Sequence, residues 1–197
     1  KELPIYTQFY LETSFWLLLF TIDENISFLQ HKIPCFFCAS KMYWGNYPRK
    51  ARGIPPQAEI FFKFRFSSCC SVCRRRRTPP SVRFLGRRVY AAVFIMMIFY
   101  PYADAEDNHE KLVESVSFGM DLMTPARWIS WWSIDIPVSS IWKNICGTLG
   151  ANINNEFLPH FISNQFISSN GKTDKAVQAL LVFLSPITVP KDYPSSS

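Results

Sequence analysis

Long apolar runs are missing from this chain of 197 residues. None reaches the roughly 20 apolar positions that a membrane-spanning helix needs, which argues against a polytopic membrane protein. Glycine and histidine are sparse, at 7 and 3 residues. No GxGxxG, GxSxG or HExxH occurs, and Gly171-Lys172-Thr173 has Phe166 where a phosphate-binding loop needs its first glycine. His31, His109 and His160 stand far apart, with no neighbouring Cys, Asp or Glu pattern that suggests a triad or a metal site. A non-enzymatic chain with no small-molecule substrate is therefore the expectation. An initiating Met is also lacking. The first residue is Lys1, which suggests a fragment, a processed product or a start elsewhere.

Apolar surface, by contrast, is plentiful. Hydrophobic residues make up 48% of the chain and charged residues 18%, enough burial to set it apart from a disordered polymer. The length suits one domain or two small ones. Charge is divided unevenly. Residues 1–88 hold 15 Lys/Arg against 5 Asp/Glu, a balance of +10, and residues 89–197 hold 6 against 10, a balance of −4. Cysteine divides at the same place, with Cys35, Cys38, Cys69, Cys70 and Cys73 before it and Cys146 after it. Two independent properties thus mark a boundary near residue 88. Such asymmetry points to membrane or nucleic-acid contact.

The local patterns predict a mixed α+β chain with extensive irregular segments and no deducible topology. The apolar run Phe15–Ile22 is only eight residues long, suited to a buried helix turn or strand, and Asp23, Glu24 and Asn25 break it. Pro34, Pro48, Pro55 and Pro56 make residues 31–60 irregular. In Ile60–Phe66, Ile60, Phe62, Phe64 and Phe66 alternate with Phe61, Lys63 and Arg65, the period of a strand with one buried face. Trp128–Trp142 alternates partly as an edge strand. Ala176–Leu184 reads as a helix with Thr173 as its N-cap, stopped before Pro186.

Residues 74–105 carry a possible targeting pattern. Arg83, Arg87 and Arg88 precede the uncharged stretch Val89–Ala103, which ends at the small residues Ala103-Asp104-Ala105 before more acid. Basic, apolar and small segments in that order match a secretory signal. The arginines would stay on the cytoplasmic side while the apolar side chains enter lipid. Its position, with 82 residues before Arg83, favours an uncleaved signal anchor or a downstream start over an ordinary signal peptide. A short apolar helix near 89–102 would reach about 22 Å, less than a hydrocarbon core of about 30 Å. A buried core helix flanked by charge is the competing reading. The expected organisation is a basic, cysteine- and aromatic-rich region over 1–88, an apolar targeting or anchor segment over 89–105, and an acidic, tryptophan-containing region over 106–197.

Cys35-x-x-Cys38 and Cys70-x-x-Cys73 form two pairs of the kind that fills a four-thiolate structural zinc site. A two-residue gap lets one turn supply two ligands. The 31 residues between the pairs exceed the usual spacing of about 15–20. Phe36 and Phe37 occupy the first gap, where turn-forming residues are usual, and Cys69 is an additional thiol. Reduced thiols, or disulfides in an oxidising compartment, are the alternatives. Lys41, Arg49, Lys50, Arg52, Lys63 and Arg65 lie between the pairs and Arg74–Arg77 follow them, interleaved with Phe, Tyr and Trp. Basic and aromatic residues mixed in this way suit a nucleic-acid surface.

Three readings follow. The leading one is a small membrane-anchored or secreted protein that binds a protein partner through residues 106–197. A second is a zinc-binding basic module in residues 31–88 that contacts nucleic acid, in the nucleus or cytoplasm. A third is a young, orphan or incorrectly framed coding sequence without a defined activity.

Overall fold

The computed structural model describes residues 12–84, 127, 130–139, 142–143, 146–147 and 173–188. It is a mixed α+β chain of helices and small antiparallel sheets joined by irregular segments. The apolar helix expected near 89–102 lies outside the described residues. No described helix is long and apolar enough to cross a membrane.

Helix α1 spans Thr13–His31. It runs straight through Asp23-Glu24-Asn25, where the sequence suggested a break. Phe15, Trp16, Leu19, Asp23 and Ser27 are its buried positions, a stripe repeating every three or four residues. Asp23 continues that stripe because the fold supplies it with partners. Its carboxylate accepts bonds from the Ser81 hydroxyl, the Val82 N–H (2.6 Å) and Arg83 Nε (2.8 Å). Glu24 and Asn25 face solvent and cost the helix little. Pro34 prevents further helix, since proline disfavours helical geometry in the residue before it.

A three-stranded antiparallel sheet follows, in the order β1 (Met42–Trp44), β4 (Ser68–Cys70), β5 (Arg76–Arg77). Met42 pairs with Cys70, Trp44 with Ser68, and Ser68 with Arg77. A separate pair joins β2 (Tyr47–Pro48) to β3 (Phe64–Arg65). Between β2 and β3, Pro56–Phe62 forms a 3-10 helix.

That helix displaces half of the strand expected over Ile60–Phe66. Pro56 sits at its start, where its missing N–H is harmless and its fixed φ suits a helix. Ala58 and Phe62, four residues apart, are buried, whereas Ile60 is exposed. Only Phe64–Arg65 is extended, and the faces are reversed there. Arg65 is buried, donating to the Phe84 carbonyl (3.2 Å) and the Pro79 carbonyl (3.1 Å), and Phe64 is half-buried.

The core beneath α1 is aromatic. Trp16 meets Phe62 edge to face at 5.4 Å, Phe62 meets Phe84 at 5.5 Å, and Phe20 packs near Phe61, Phe64 and Phe66. The fully buried Arg83 guanidinium stands 4.9 Å from the Phe20 ring, 5.1 Å from Phe66 and 5.2 Å from Phe84. Aromatic faces and the Asp23 carboxylate together replace its water. Arg83, expected to be a cytoplasmic charge beside a targeting segment, is thus a core residue. Arg87 and Arg88 lie outside the described residues.

In the C-terminal part, Trp131–Asp135 form a widened helical turn that passes into the short helix α2 (Ile136–Val138). The edge strand expected there is replaced by helix, with Ile136 and Trp142 buried. Helix α3 spans Thr173–Leu184 and buries Val177, Leu180, Leu181 and Leu184 at three-to-four-residue spacing. It begins at Thr173, inside the first turn rather than ahead of it, and Ser185–Thr188 close it as a 3-10 turn.

Candidate metal centre

The two cysteine pairs fold into two loops of the same design. In the first, the Cys35 N–H donates to the Ser40 carbonyl (2.9 Å), five residues on. In the second, the Cys70 N–H donates to the Arg75 carbonyl (2.9 Å), again five residues on. The residue directly after each second cysteine takes a left-handed conformation: Ala39 at φ 55° and Arg74 at φ 59°. Such geometry is costly for residues with a Cβ. Its occurrence twice, at equivalent places, shows that both loops must curl tightly around their sulfurs. The Val72 N–H also points at Cys70 Sγ (3.4 Å). A cross-link holds the loops together, since the Ser71 N–H donates to the Lys41 carbonyl (3.1 Å).

The strands supply the rest of the placement. Cys70 ends β4 directly opposite Met42 of β1, so the sheet carries the second loop to the first across a long insertion. Cys35, Met42 and Cys70 pack as one small core with Cys73 against it. The spacing that looked too long in sequence is thereby absorbed by β2, the 3-10 helix and β3.

Cys35, Cys38, Cys70 and Cys73 bring their Sγ atoms within 4.8 Å of one another. The closest pairs run between loops, with Cys35 to Cys73 at 3.6 Å and Cys38 to Cys70 at 3.3 Å. A tetrahedral ion with metal–sulfur bonds of about 2.3 Å requires sulfurs about 3.8 Å apart, so small adjustments close the site. All four cysteines are free thiols. Every residue named from the sequence as a metal ligand is therefore present in one cluster. The group can bind a metal ion.

Protonation within the cluster is uneven. The Ser40 hydroxyl and N–H, then the Cys70 thiol, lower Cys38 to about 6. The Arg75 N–H lowers Cys73, but desolvation and hydrogen bonds with Cys70, Cys35 and Cys38 raise it to about 12. Cys38 thus gives up its proton more readily than Cys73, and metal entry would displace the protons that remain.

Three neighbouring groups lie outside the cluster. Cys69 turns away and contacts the Arg74 carbonyl (3.2 Å), leaving it outside the cluster. His31 is not part of the cluster. It stacks on Trp44 with ring centroids 3.9 Å apart and planes 6° from parallel, and desolvation, Lys41 and Arg77 hold it below its usual pKa. Phe36 and Phe37 fit within the first loop by turning outward, where Arg77 and Arg75 cover their rings at 4.1 and 3.8 Å.

Arg77 was not predicted to matter individually. It is buried and donates to the carbonyls of Gln30 (3.0 Å), Ile33 (2.9 Å) and Pro34. One guanidinium thus caps the end of α1 and anchors the entry to the first cysteine loop.

Residues 12–84 carry twelve Lys/Arg and four Asp/Glu. Arg65, Arg77 and Arg83 are buried, and Asp23 is paired with Arg83. Nine cations against three acids remain at the surface, with Arg49 half-buried among them. Lys41, Arg74, Arg75 and Arg76 adjoin the cysteine loops. Comparison with protein-family models, curated proteins and solved structures finds no match to this chain.

Proposed function

We propose that residues 12–84 form a zinc-organised basic module that contacts nucleic acid, a binding role rather than a catalytic one. The observation that carries this reading is the paired loop design, which gathers four thiols within 4.8 Å of one another. Four sulfurs with no carboxylate or imidazole favour zinc over magnesium or calcium, and a closed donor set suits structure rather than catalysis. The zinc would hold β1 and β4 to the end of α1. Around it, the excess of exposed Lys and Arg matches the charge of a phosphate backbone.

Metal analysis and a binding titration on the full chain test the proposal. One zinc per chain is expected, falling when Cys70 is replaced by Ser. RNA or DNA binding is expected to weaken steeply as salt rises. Less than one zinc per chain, with no salt-dependent binding, ends the reading. The sequence-based proposal of an anchor at residues 89–105 is a separate matter, tested by protease protection on microsomes. If residues 106–197 stay fully accessible outside intact vesicles, the anchor is excluded.

A further inference from the structure

An open cleft of about 570 Å³ lies between α1 and the turn after β1. Sites for small organic groups run from about 300 to 1,000 Å³, so a purine nucleoside fits without crowding. Its aromatic lining includes Phe28, Trp44 and Phe64, and its polar lining is Glu24, Asn25 and Asn46. Trp44 is half exposed and already backed on one face by His31. A ring fixed in this way is a ready platform for a further planar group.

The polar groups narrow the choice. Glu24 is exposed, and an ionised carboxylate only accepts hydrogen bonds. Asn46 Oδ1 is engaged by the Ser67 N–H (3.0 Å), which leaves its amide NH₂ as a donor. Asn25 adds a second amide. An acceptor beside a donor complements the pairing edge of guanine, which presents N1–H and a 2-amino group next to a carbonyl oxygen.

Charge on the residues that neighbour Asn46 points to the source of that base. Arg76 bonds the Gly45 carbonyl and the Ser67 hydroxyl, which holds it next to Asn46. Arg76 and Arg49 both stand over the Tyr47 ring, at 5.3 and 5.0 Å. Two guanidiniums gathered on the ring that directly follows Asn46 suit the phosphates of a strand. A duplex keeps its bases stacked on one another, whereas a single strand can place one on an aromatic side chain.

Building on the proposed nucleic-acid role, we infer that this cleft receives a guanine base of a single-stranded nucleic acid, stacked on Trp44 and read by Glu24 and Asn46. Phosphates on either side of that base run past Arg76 and Arg49.

The test uses the full-length, zinc-loaded protein and fluorescence anisotropy with labelled thymidylate oligomers of about ten nucleotides. Each carries one central guanine, hypoxanthine or adenine. Guanine is expected to bind most tightly, hypoxanthine less so because it lacks the 2-amino group, and adenine least. Trp44→Leu should weaken the guanine oligomer about tenfold or more and erase the base preference. Phe28→Ser, at an exposed rim position, should weaken it without loss of zinc. Glu24→Gln should bind plain thymidylate as before and lose the preference of guanine over hypoxanthine. Salt-sensitive binding that ignores the base and all three substitutions overturns the cleft assignment and leaves phosphate contact standing. Free guanosine monophosphate competing as well as the guanine oligomer overturns the strand as source. No binding to any oligomer overturns both the cleft and the module's proposed role.

Discussion

Ala39 and Arg74 hold left-handed backbone that glycine adopts freely. Ala39→Gly is therefore expected to raise the stability of the metal-loaded chain by up to about 1 kcal/mol, read as a higher midpoint of thermal unfolding. A lower midpoint would show that the curl of the first loop carries no strain. Cys38 makes the second residue-scale prediction. It is exposed and its thiol is lowered to about 6, so in metal-free protein it should be the first cysteine alkylated by iodoacetamide. Its rate should fall as pH drops through about 6, because protonation removes the thiolate, and zinc should block it. Peptide mapping after brief labelling checks both points. The four clustered cysteines were legible as spaced pairs. The tight turn after each was hidden because Ala and Arg stand where glycine would have advertised it. Asp23 and Arg83 were equally hidden. A charged side chain usually means solvent, and only the folded chain shows that these two bury each other. Asp23→Ala leaves Arg83 unpaired in an aromatic core and should cost about 3–5 kcal/mol in a urea melt.

Among elements, the join between α1 and the first cysteine loop depends on one side chain. Arg77→Ala removes three carbonyl contacts and should destabilise the module by about 1–3 kcal/mol, with faster amide exchange at the end of α1 than elsewhere in that helix. Uniform exchange along α1 would contradict this capping role. Helix α3 was visible from its end signals, Thr173 at the start and Pro186 beyond the last turn. Segment Ile60–Phe66 was misread because alternation cannot distinguish a strand from a 3-10 turn whose buried residues fall four apart. The course of α1 through Asp23-Glu24-Asn25 was missed for a different reason: the partners that make Asp23 welcome inside come from residues 81–83.

At the scale of the whole molecule, the small sheets cannot supply much independent stability, since strands β2, β3 and β5 have two residues each. Removing zinc with a chelator should therefore loosen residues 12–84 cooperatively, seen as loss of near-ultraviolet circular dichroism and recovery on adding one equivalent of zinc. Retention of the full signal would mean that the aromatic core alone defines the fold. The mixed α+β class was readable from composition and pattern. The sheet order was not, because the β1–β4 pairing depends on contacts across more than twenty residues.

The bond from Arg83 to Asp23 joins positions sixty residues apart, close to the two ends of the described 12–84 stretch. On a ribosome, α1 would emerge long before the arginine that neutralises its buried acid. The pairing of Asp23 must therefore wait until Arg83 has left the exit tunnel, although Phe62, which packs on Trp16, emerges earlier. A gene truncated just ahead of Ser81 would express all four clustered cysteines and still leave Asp23 without the Ser81, Val82 and Arg83 partners it has in the fold.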